Sequence, residues 1–158
     1  MKMTMIAFAA IMLLNSCDTA QKEIHLIPSG YQGVVTIIFD CKEGSKLEYE
    51  GDARVYRIGK NGILKINAPF NKGVSKAGDE LFFYEDSLGN RTEIREHKDT
   101  HKSAATNDVM IFNPQFYGNC VTNGQNLNSN AFQYLVCNEA KRETYYKNKI
   151  DPCNLYCK

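Results

Sequence analysis

The sequence predicts a mainly β protein, folded as an antiparallel β-sandwich or an open barrel, with a short C-terminal helix or a disulfide-tied tail. Short runs of β-branched and aromatic residues recur along the chain, and clusters of Gly, Asn, Asp and Ser separate them. No helical pattern alternates with these runs, as a parallel sheet would require. The length of 158 residues is typical of one domain.

The predicted strands follow one another at short intervals. Residues 34–39 are apolar on both faces, which is typical of a central strand covered on both sides. The pair Asn61-Gly62 favours a hairpin between the strands that flank it, because both residues tolerate a positive φ. The last strand could instead begin a helix, since helix formers follow it at 138–149. The predicted strands are residues 23–28, 34–39, 46–49, 54–58, 63–66, 81–84, 91–96, 109–112 and 131–137.

Two longer polar stretches interrupt this pattern. Residues 98–108 carry mixed charges, and residues 121–130 are rich in Asn without hydrophobic periodicity. Both are predicted to be exposed loops. The sequence shows no internal repeat and no sign of a second domain, so residues 24–158 are expected to form a single β-rich domain.

The N-terminal segment has the composition of an export signal. Lys2 precedes an apolar run over residues 5–14, and two small polar residues then lead to Cys17. The run is too short to span a bilayer of about 30 Å as a helix. This order resembles a bacterial lipoprotein signal peptide, in which residues 1–16 are removed and Cys17 is lipidated. Residues 17–23 would then be a polar tether.

That resemblance implies a protein of the cell envelope. Acyl chains such as palmitate on Cys17 would anchor it to a bacterial membrane, facing the periplasm or the cell surface. The alternative is an ordinary secretory signal cut near the same place, which would leave Cys17 as a plain thiol. The membrane, reached through the N-terminal lipid, is therefore the first predicted partner.

The charge of the mature chain argues against several other partners. The whole chain has 19 basic and 18 acidic residues, and removal of residues 1–16 takes away one lysine, which leaves 18 of each. Nucleic-acid binding requires concentrated Lys and Arg, so no nucleic-acid partner is predicted. A neutral surface likewise offers no electrostatic adhesion to a membrane beyond the lipid itself.

Four segments resemble an uncharacterised domain family found in small bacterial lipoproteins. They are Ile-Pro-Ser-Gly-Tyr-Gln-Gly at 27–33, Val-Tyr-Arg-Ile at 55–58, Asn-Gly-Ile-Leu at 61–64, and Phe-Tyr-Glu-Asp-Ser-Leu-Gly at 83–89. The resemblance covers roughly half of the chain. It implies a small β-rich fold, and it implies no activity and no site residues.

The cysteines are the main candidates for chemistry. In an exported protein they are expected to be disulfide-bonded rather than to hold a metal. We expect two bridges among Cys120, Cys137, Cys153 and Cys157, a set that allows three pairings. Bridges from the tail to Cys120 and Cys137 are favoured over a Cys153–Cys157 bridge, because a loop that short is geometrically demanding. Cys41 is then expected to be a partly buried free thiol.

Metal binding is the weaker alternative. The same four cysteines lack the doubly paired spacing of a structural zinc site. His97 and His101 are four residues apart, so one helical turn would place both imidazoles on one face. The segment is polar and lacks the glutamate that a zinc-protease helix carries, so a solvated loop is favoured. No cofactor is predicted.

No catalytic residue can be assigned from the sequence. It contains no Gly-x-Ser-x-Gly elbow, no phosphate-binding loop and no dinucleotide fingerprint. The predicted function is a non-catalytic binding or structural module of the envelope, with an envelope protein or a glycan as the partner. The alternatives are a small metal-dependent or hydrolytic enzyme, and an inhibitor or immunity-type lipoprotein.

Overall fold

A computed structural model describes residues 20–72, 78–97, 107–118, 121–122, 125–126 and 130–155 of the chain. Within these residues the fold is mainly β, and its strands form two larger sheets and one small hairpin. The elements are β1 (Glu23–Pro28), β2 (Gly33–Ile38), β3 (Glu48–Glu50), β4 (Ala53–Arg57), β5 (Ile63–Lys65), β6 (Glu80–Glu85), β7 (Arg91–Glu93), β8 (Met110–Tyr117), β9 (Val121–Thr122), β10 (Gln125–Asn126), β11 (Ala131–Cys137), the helix α1 (Glu139–Lys147) and a 3₁₀ turn at Pro152–Leu155.

The sheets pack as a sandwich. One has the strand order β3-β4-β1-β6-β7 and the other β5-β2-β11-β8. The predicted mainly β, sandwich-like class with a short C-terminal helix is confirmed. Both sheets are mixed rather than purely antiparallel, since β1 is parallel to β4 and β6, and β2 is parallel to β5. The reason is the path of the chain, which crosses between the two larger sheets after β1, β2, β4, β5 and β7, so that most neighbours within these sheets are not consecutive strands.

The turn at Asn61-Gly62 shows the consequence of this path. It joins β4 to β5, which lie in opposite sheets, so the hairpin predicted there is wrong. Gly62 does adopt a positive φ of 77°. A side chain at Gly62 would collide with the hydroxyl of Tyr31, which donates a hydrogen bond to the carbonyl of Val34 at 2.6 Å. The glycine therefore allows a tight crossing between sheets.

The hydrophobic core lies between the two sheets. Side chains at alternate positions of each strand face inward, as the two-residue period of a strand requires. In β11 every residue is buried, because α1 and the 3₁₀ turn contact its outer side. The largest fully buried apolar and aromatic side chains are Tyr56, Tyr134, Phe39, Phe112, Leu26, Ile27, Ile37, Ile38, Ile66, Ile111 and Val35.

A side-chain hydrogen bond caps the N-terminus of the C-terminal helix. Asn138 is its N-cap, and its side chain accepts a hydrogen bond from the Lys141 amide at 3.2 Å. Beyond the helix, the buried Gln133 of β11 donates to the Thr36 hydroxyl at 3.0 Å and to the Ile150 carbonyl at 3.1 Å. The C-terminal segment is thus fixed to the outer side of the four-stranded sheet. No helix among the described residues is long and apolar enough to cross a bilayer.

Strand β8 is longer than predicted. The predicted strand ends at residue 112, immediately before Asn113-Pro114. Proline donates no ladder hydrogen bond. The observed strand continues to Tyr117. Its pairing with β11 shifts in register between Gln133 and Leu135, and Asn113 takes a positive φ of 50° at this irregularity. The short hairpin of β9 and β10 lies within the stretch 121–130 that was predicted to be a loop.

Candidate functional site

A connected set of polar groups is buried between the two sheets. We call it the Glu23 network, and it consists of Glu23, His25, Tyr56, Asn71 and Tyr134. Glu23 and His25 are two residues apart on β1, so both side chains face the core. Glu23 is 7% exposed and His25 is fully buried.

The Glu23 carboxylate is the centre of the network. One oxygen, Oε1, accepts hydrogen bonds from the Tyr56 hydroxyl at 3.0 Å and from the Asn71 side-chain amide at 2.9 Å. The other oxygen, Oε2, lies 3.5 Å from Nε2 of His25. On the far side of that ring, the Tyr134 hydroxyl lies 3.3 Å from Nδ1. These contacts extend from Glu23 and Tyr56 in the five-stranded sheet to Tyr134 in the four-stranded sheet.

Aromatic rings enclose the imidazole. His25 stacks on Phe82 with the ring centroids 4.6 Å apart, and Tyr56, Tyr134 and Phe132 surround its edges. Its Nε2 atom has no hydrogen-bond partner of good geometry, because the Glu23 oxygen is too distant for a strong bond. Four aromatic rings and the Glu23 carboxylate thus lie around the imidazole.

Burial and hydrogen bonding act on these groups in opposite directions. Burial alone would raise the pKa of Glu23, but the nearby His25 imidazole and the hydrogen bonds from Asn71 and Tyr56 lower that pKa below its ordinary value. Burial, together with the nearby carboxylate, raises the pKa of the Tyr56 and Tyr134 hydroxyls. Glu23 is therefore held ionised, while both phenols are held neutral.

The network also fixes the chain where it enters the domain. The Gln21 amide donates to Oδ1 of Asn71 at 3.0 Å, and Nδ2 of Asn71 donates to the Gln21 carbonyl at 2.7 Å. Arg54 adds a hydrogen bond from its Nε to the Gln21 side chain at 2.8 Å. Residues 21–23, which the sequence assigned to a tether, are thus hydrogen-bonded to the domain.

A second charged cluster lies on the exposed side of the five-stranded sheet. The Glu85 carboxylate contacts both Arg57 and Arg91. Arg91 also donates two hydrogen bonds to Glu50, at 2.8 and 2.5 Å, and Arg57 lies 3.5 Å from Glu48. The hydrogen bonds from Arg91 lower the pKa of Glu50. These groups satisfy one another at a largely solvated surface.

The structure corrects the prediction for the cysteines. Cys137 is a free thiol that is fully buried with Phe112 and Leu135 beneath α1, so the prediction that it forms a disulfide is wrong. Cys153 is disulfide-bonded, and so is Cys41, which was expected to be free. The reason is that β11 is covered on both faces, which the alternating pattern of its sequence did not indicate. Cys17, Cys120 and Cys157 lie outside the described residues.

Of the two predicted metal candidates, the described one, His97, is not part of the Glu23 network. His97 is not on a helix: its backbone amide donates to the Ile111 carbonyl at 2.8 Å, and its ring stacks on Phe112 at 4.9 Å. His101 lies outside the described residues. Among the residues that the structure describes, no three His, Cys, Asp or Glu side chains are grouped so that they could hold a metal ion.

Comparison with known families gives a clear assignment. The sequence matches the family described as a family of unknown function, DUF6843, over residues 19–147. The chain belongs to this family. No curated protein matches it. Among solved structures, the fold is similar to that of a candidate lipoprotein from Bacillus anthracis, with a TM-score of 0.53 and 14% identity over 83% of this chain and 81% of that chain. At this identity the likeness shows a shared fold.

The Glu23 network was not predicted from the sequence. One signal was present, since Glu23, His25 and Ile27 share the inward face of a strand, and a charged residue there requires a partner. The partners themselves come from positions 31 to 109 residues away along the chain. Only the tertiary fold could bring them together.

Proposed function

We propose that this DUF6843 member is a lipid-anchored protein of the bacterial cell envelope, and that its β-sandwich is a non-catalytic binding or structural module. The observation that carries the proposal is the attachment of Gln21 to the domain through Asn71 and Arg54. Cys17 is only four residues earlier in the sequence. Lipid on Cys17 would therefore hold the folded domain itself next to the membrane.

Two further observations support the anchor. The segment that ends at Cys17 resembles a lipoprotein signal peptide in its charge, apolar run and small residues. The Bacillus anthracis protein of similar fold also carries a lipoprotein description. Since several acyl chains stabilise membrane attachment by about 0.8 kcal/mol per buried methylene, the lipid alone would suffice for stable anchoring.

The non-catalytic role is supported by how the Glu23 network is built. A carboxylate beside an imidazole is a familiar pair for proton transfer, but such a pair must reach a substrate atom directly or through one water. Here aromatic rings enclose His25, and the hydrogen bonds of Glu23 go to Tyr56 and Asn71. The network is therefore suited to stabilising the domain and its N-terminal attachment, and the partner would be an envelope protein or a glycan.

The anchor can be tested by expressing the full chain in a bacterium and supplying a palmitate analogue. We expect the wild-type chain to incorporate the label and to enter the detergent phase, and Cys17→Ala to do neither. Cys137→Ala is the matched control, because it removes a free thiol that is remote from the signal. The proposal is wrong if exported Cys17→Ala protein still incorporates the analogue and enters the detergent phase.

A further inference from the structure

One end of the sandwich carries exposed aromatic side chains beside the point where the chain enters the domain. We call it the proximal end. Asn71 pairs with Gln21 there, and Phe70 directly precedes Asn71. Phe70 stacks on Phe116 of β8 with the ring centroids 4.1 Å apart. Tyr49 of β3 lies at the same level along the strands. Its register partner is Arg54 of β4, and Arg54 is also the register partner of Glu23, the first residue of β1.

Two of these rings are substantially exposed, and packing on the core supports the Phe116 ring. Phe116 is 45% exposed and Tyr49 is 54% exposed. Behind Phe116, the half-buried Phe70 packs edge-to-face on Phe39, which is buried in the core, with the ring centroids 5.3 Å apart. The core thus supports aromatic side chains at the proximal end that remain partly exposed.

The length of the N-terminal segment limits what can cover this surface. Four residue steps separate Cys17 from the attached Gln21, and even a fully extended chain spans about 14 Å over that number of steps. The headgroup region of one leaflet is about 5 to 8 Å thick. If Cys17 is lipidated, the proximal end therefore stays at the membrane interface.

We propose that Phe116, Phe70 and Tyr49 form a second, non-covalent contact with the lipid bilayer. This inference rests on the proposed lipid anchor at Cys17. A tyrosine partitions favourably to the level of the headgroups, where its ring meets acyl chains and its hydroxyl meets polar groups, and phenylalanine rings bury apolar area at the same boundary. The contact would fix the orientation of the domain, with the proximal end on the membrane and the turn at Leu88 directed away from it.

The orientation can be tested by fluorescence, because the chain contains no tryptophan. Phe116→Trp places a single reporter at the proximal end. Leu88→Trp is the matched control at the opposite end, where Leu88 is 85% exposed in the turn after β6. Tyr49→Trp is a second proximal reporter in case Phe116→Trp does not fold. Each full-length, acylated variant is reconstituted into phosphatidylethanolamine–phosphatidylglycerol vesicles with or without brominated acyl chains.

We expect the Phe116→Trp emission to shift to shorter wavelength on vesicles and to lose most of its intensity with brominated lipid. The Leu88→Trp emission should change neither in wavelength nor in intensity.

Flotation of the vesicles reports separately whether the protein is anchored to lipid. Protein that does not float would overturn the lipid anchor and the docking inference together. Floating protein in which Phe116→Trp is not quenched, or is quenched no more than Leu88→Trp, would overturn the docking inference alone. A blue shift without quenching would mean that protein, rather than lipid, covers the surface, and would also overturn it.

Discussion

The side-chain amide of Asn71 hydrogen-bonds both backbone polar groups of Gln21, fifty residues earlier in the chain. It accepts from the Gln21 amide and donates to the Gln21 carbonyl, much as a neighbouring strand would. The same Nδ2 atom also donates to the Glu23 carboxylate. One asparagine thus joins the entry segment of the domain to its buried polar network.

Replacing Asn71 by Ala is expected to lower the free energy of unfolding by about 1 to 3 kcal/mol, because polar groups of Gln21 and Glu23 lose their partner at partly or fully buried positions. Urea denaturation gives this value. The loosened segment should also be cleaved faster by trypsin after Lys22. Asn67→Ala is the control, since Asn67 is exposed and its side chain donates a hydrogen bond of 3.2 Å to the Lys42 carbonyl. Equal effects of the two substitutions would contradict this role of Asn71.

Glu23 is expected to make the stability depend on pH. Its pKa in the folded protein lies below the ordinary value of 4.5, so ionised Glu23 stabilises the fold above that pH. The contribution is lost as the pH falls through the lowered, folded-state pKa. The difference in unfolding free energy between wild type and Glu23→Gln should therefore be constant near neutral pH and shrink below pH 4.5. Thermal unfolding at several pH values measures it.

The exposed Glu43 provides the comparison for that experiment. Glu43→Gln should follow the wild-type pH profile closely, because Glu43 lies outside the network. If Glu23→Gln also runs parallel to wild type into the acid range, the ionised Glu23 carboxylate does not stabilise the fold.

Cys137 is expected to be unreactive in the folded protein. Burial, with a smaller effect of Glu139, raises the pKa of its thiol to about 11, so little thiolate forms at mildly alkaline pH. Iodoacetamide should modify the Cys137 peptide only after denaturation, as peptide mass spectrometry would show. Rapid modification of the native protein would mean that the region beneath α1 opens readily.

The surface ion pairs are expected to contribute modestly. Glu85→Gln removes a carboxylate that contacts both Arg57 and Arg91 and is 16% exposed, so we expect a loss of about 1 kcal/mol at low salt and less at high salt. The control is Glu143→Gln, whose exposed pair with Lys147 should contribute about 0.3 to 0.5 kcal/mol. Urea denaturation at two salt concentrations distinguishes them, and an effect of Glu85→Gln that does not depend on salt would contradict an electrostatic origin.

Local sequence patterns predicted most of the strands, because the two-residue period and the turn residues act over short distances. The first strand, Glu23–Pro28, and the last, Ala131–Cys137, have the predicted bounds. The patterns failed where a partner strand overrides a local signal, as at Pro114 within β8. They failed again at Gly62, whose turn chemistry suits both a hairpin and the observed crossing between sheets.

The sequence by itself determined the mainly β class, the positions of most elements and the resemblance of residues 1–17 to an export signal. Only the tertiary structure decided the strand directions, the burial of Cys137, and the meeting of Glu23 with Asn71 and Tyr56. The physical reason is the separation along the chain over which each effect acts. Periodicity and turn propensity are properties of a few adjacent residues, whereas a buried carboxylate is stabilised by groups that become its neighbours only when the two sheets close.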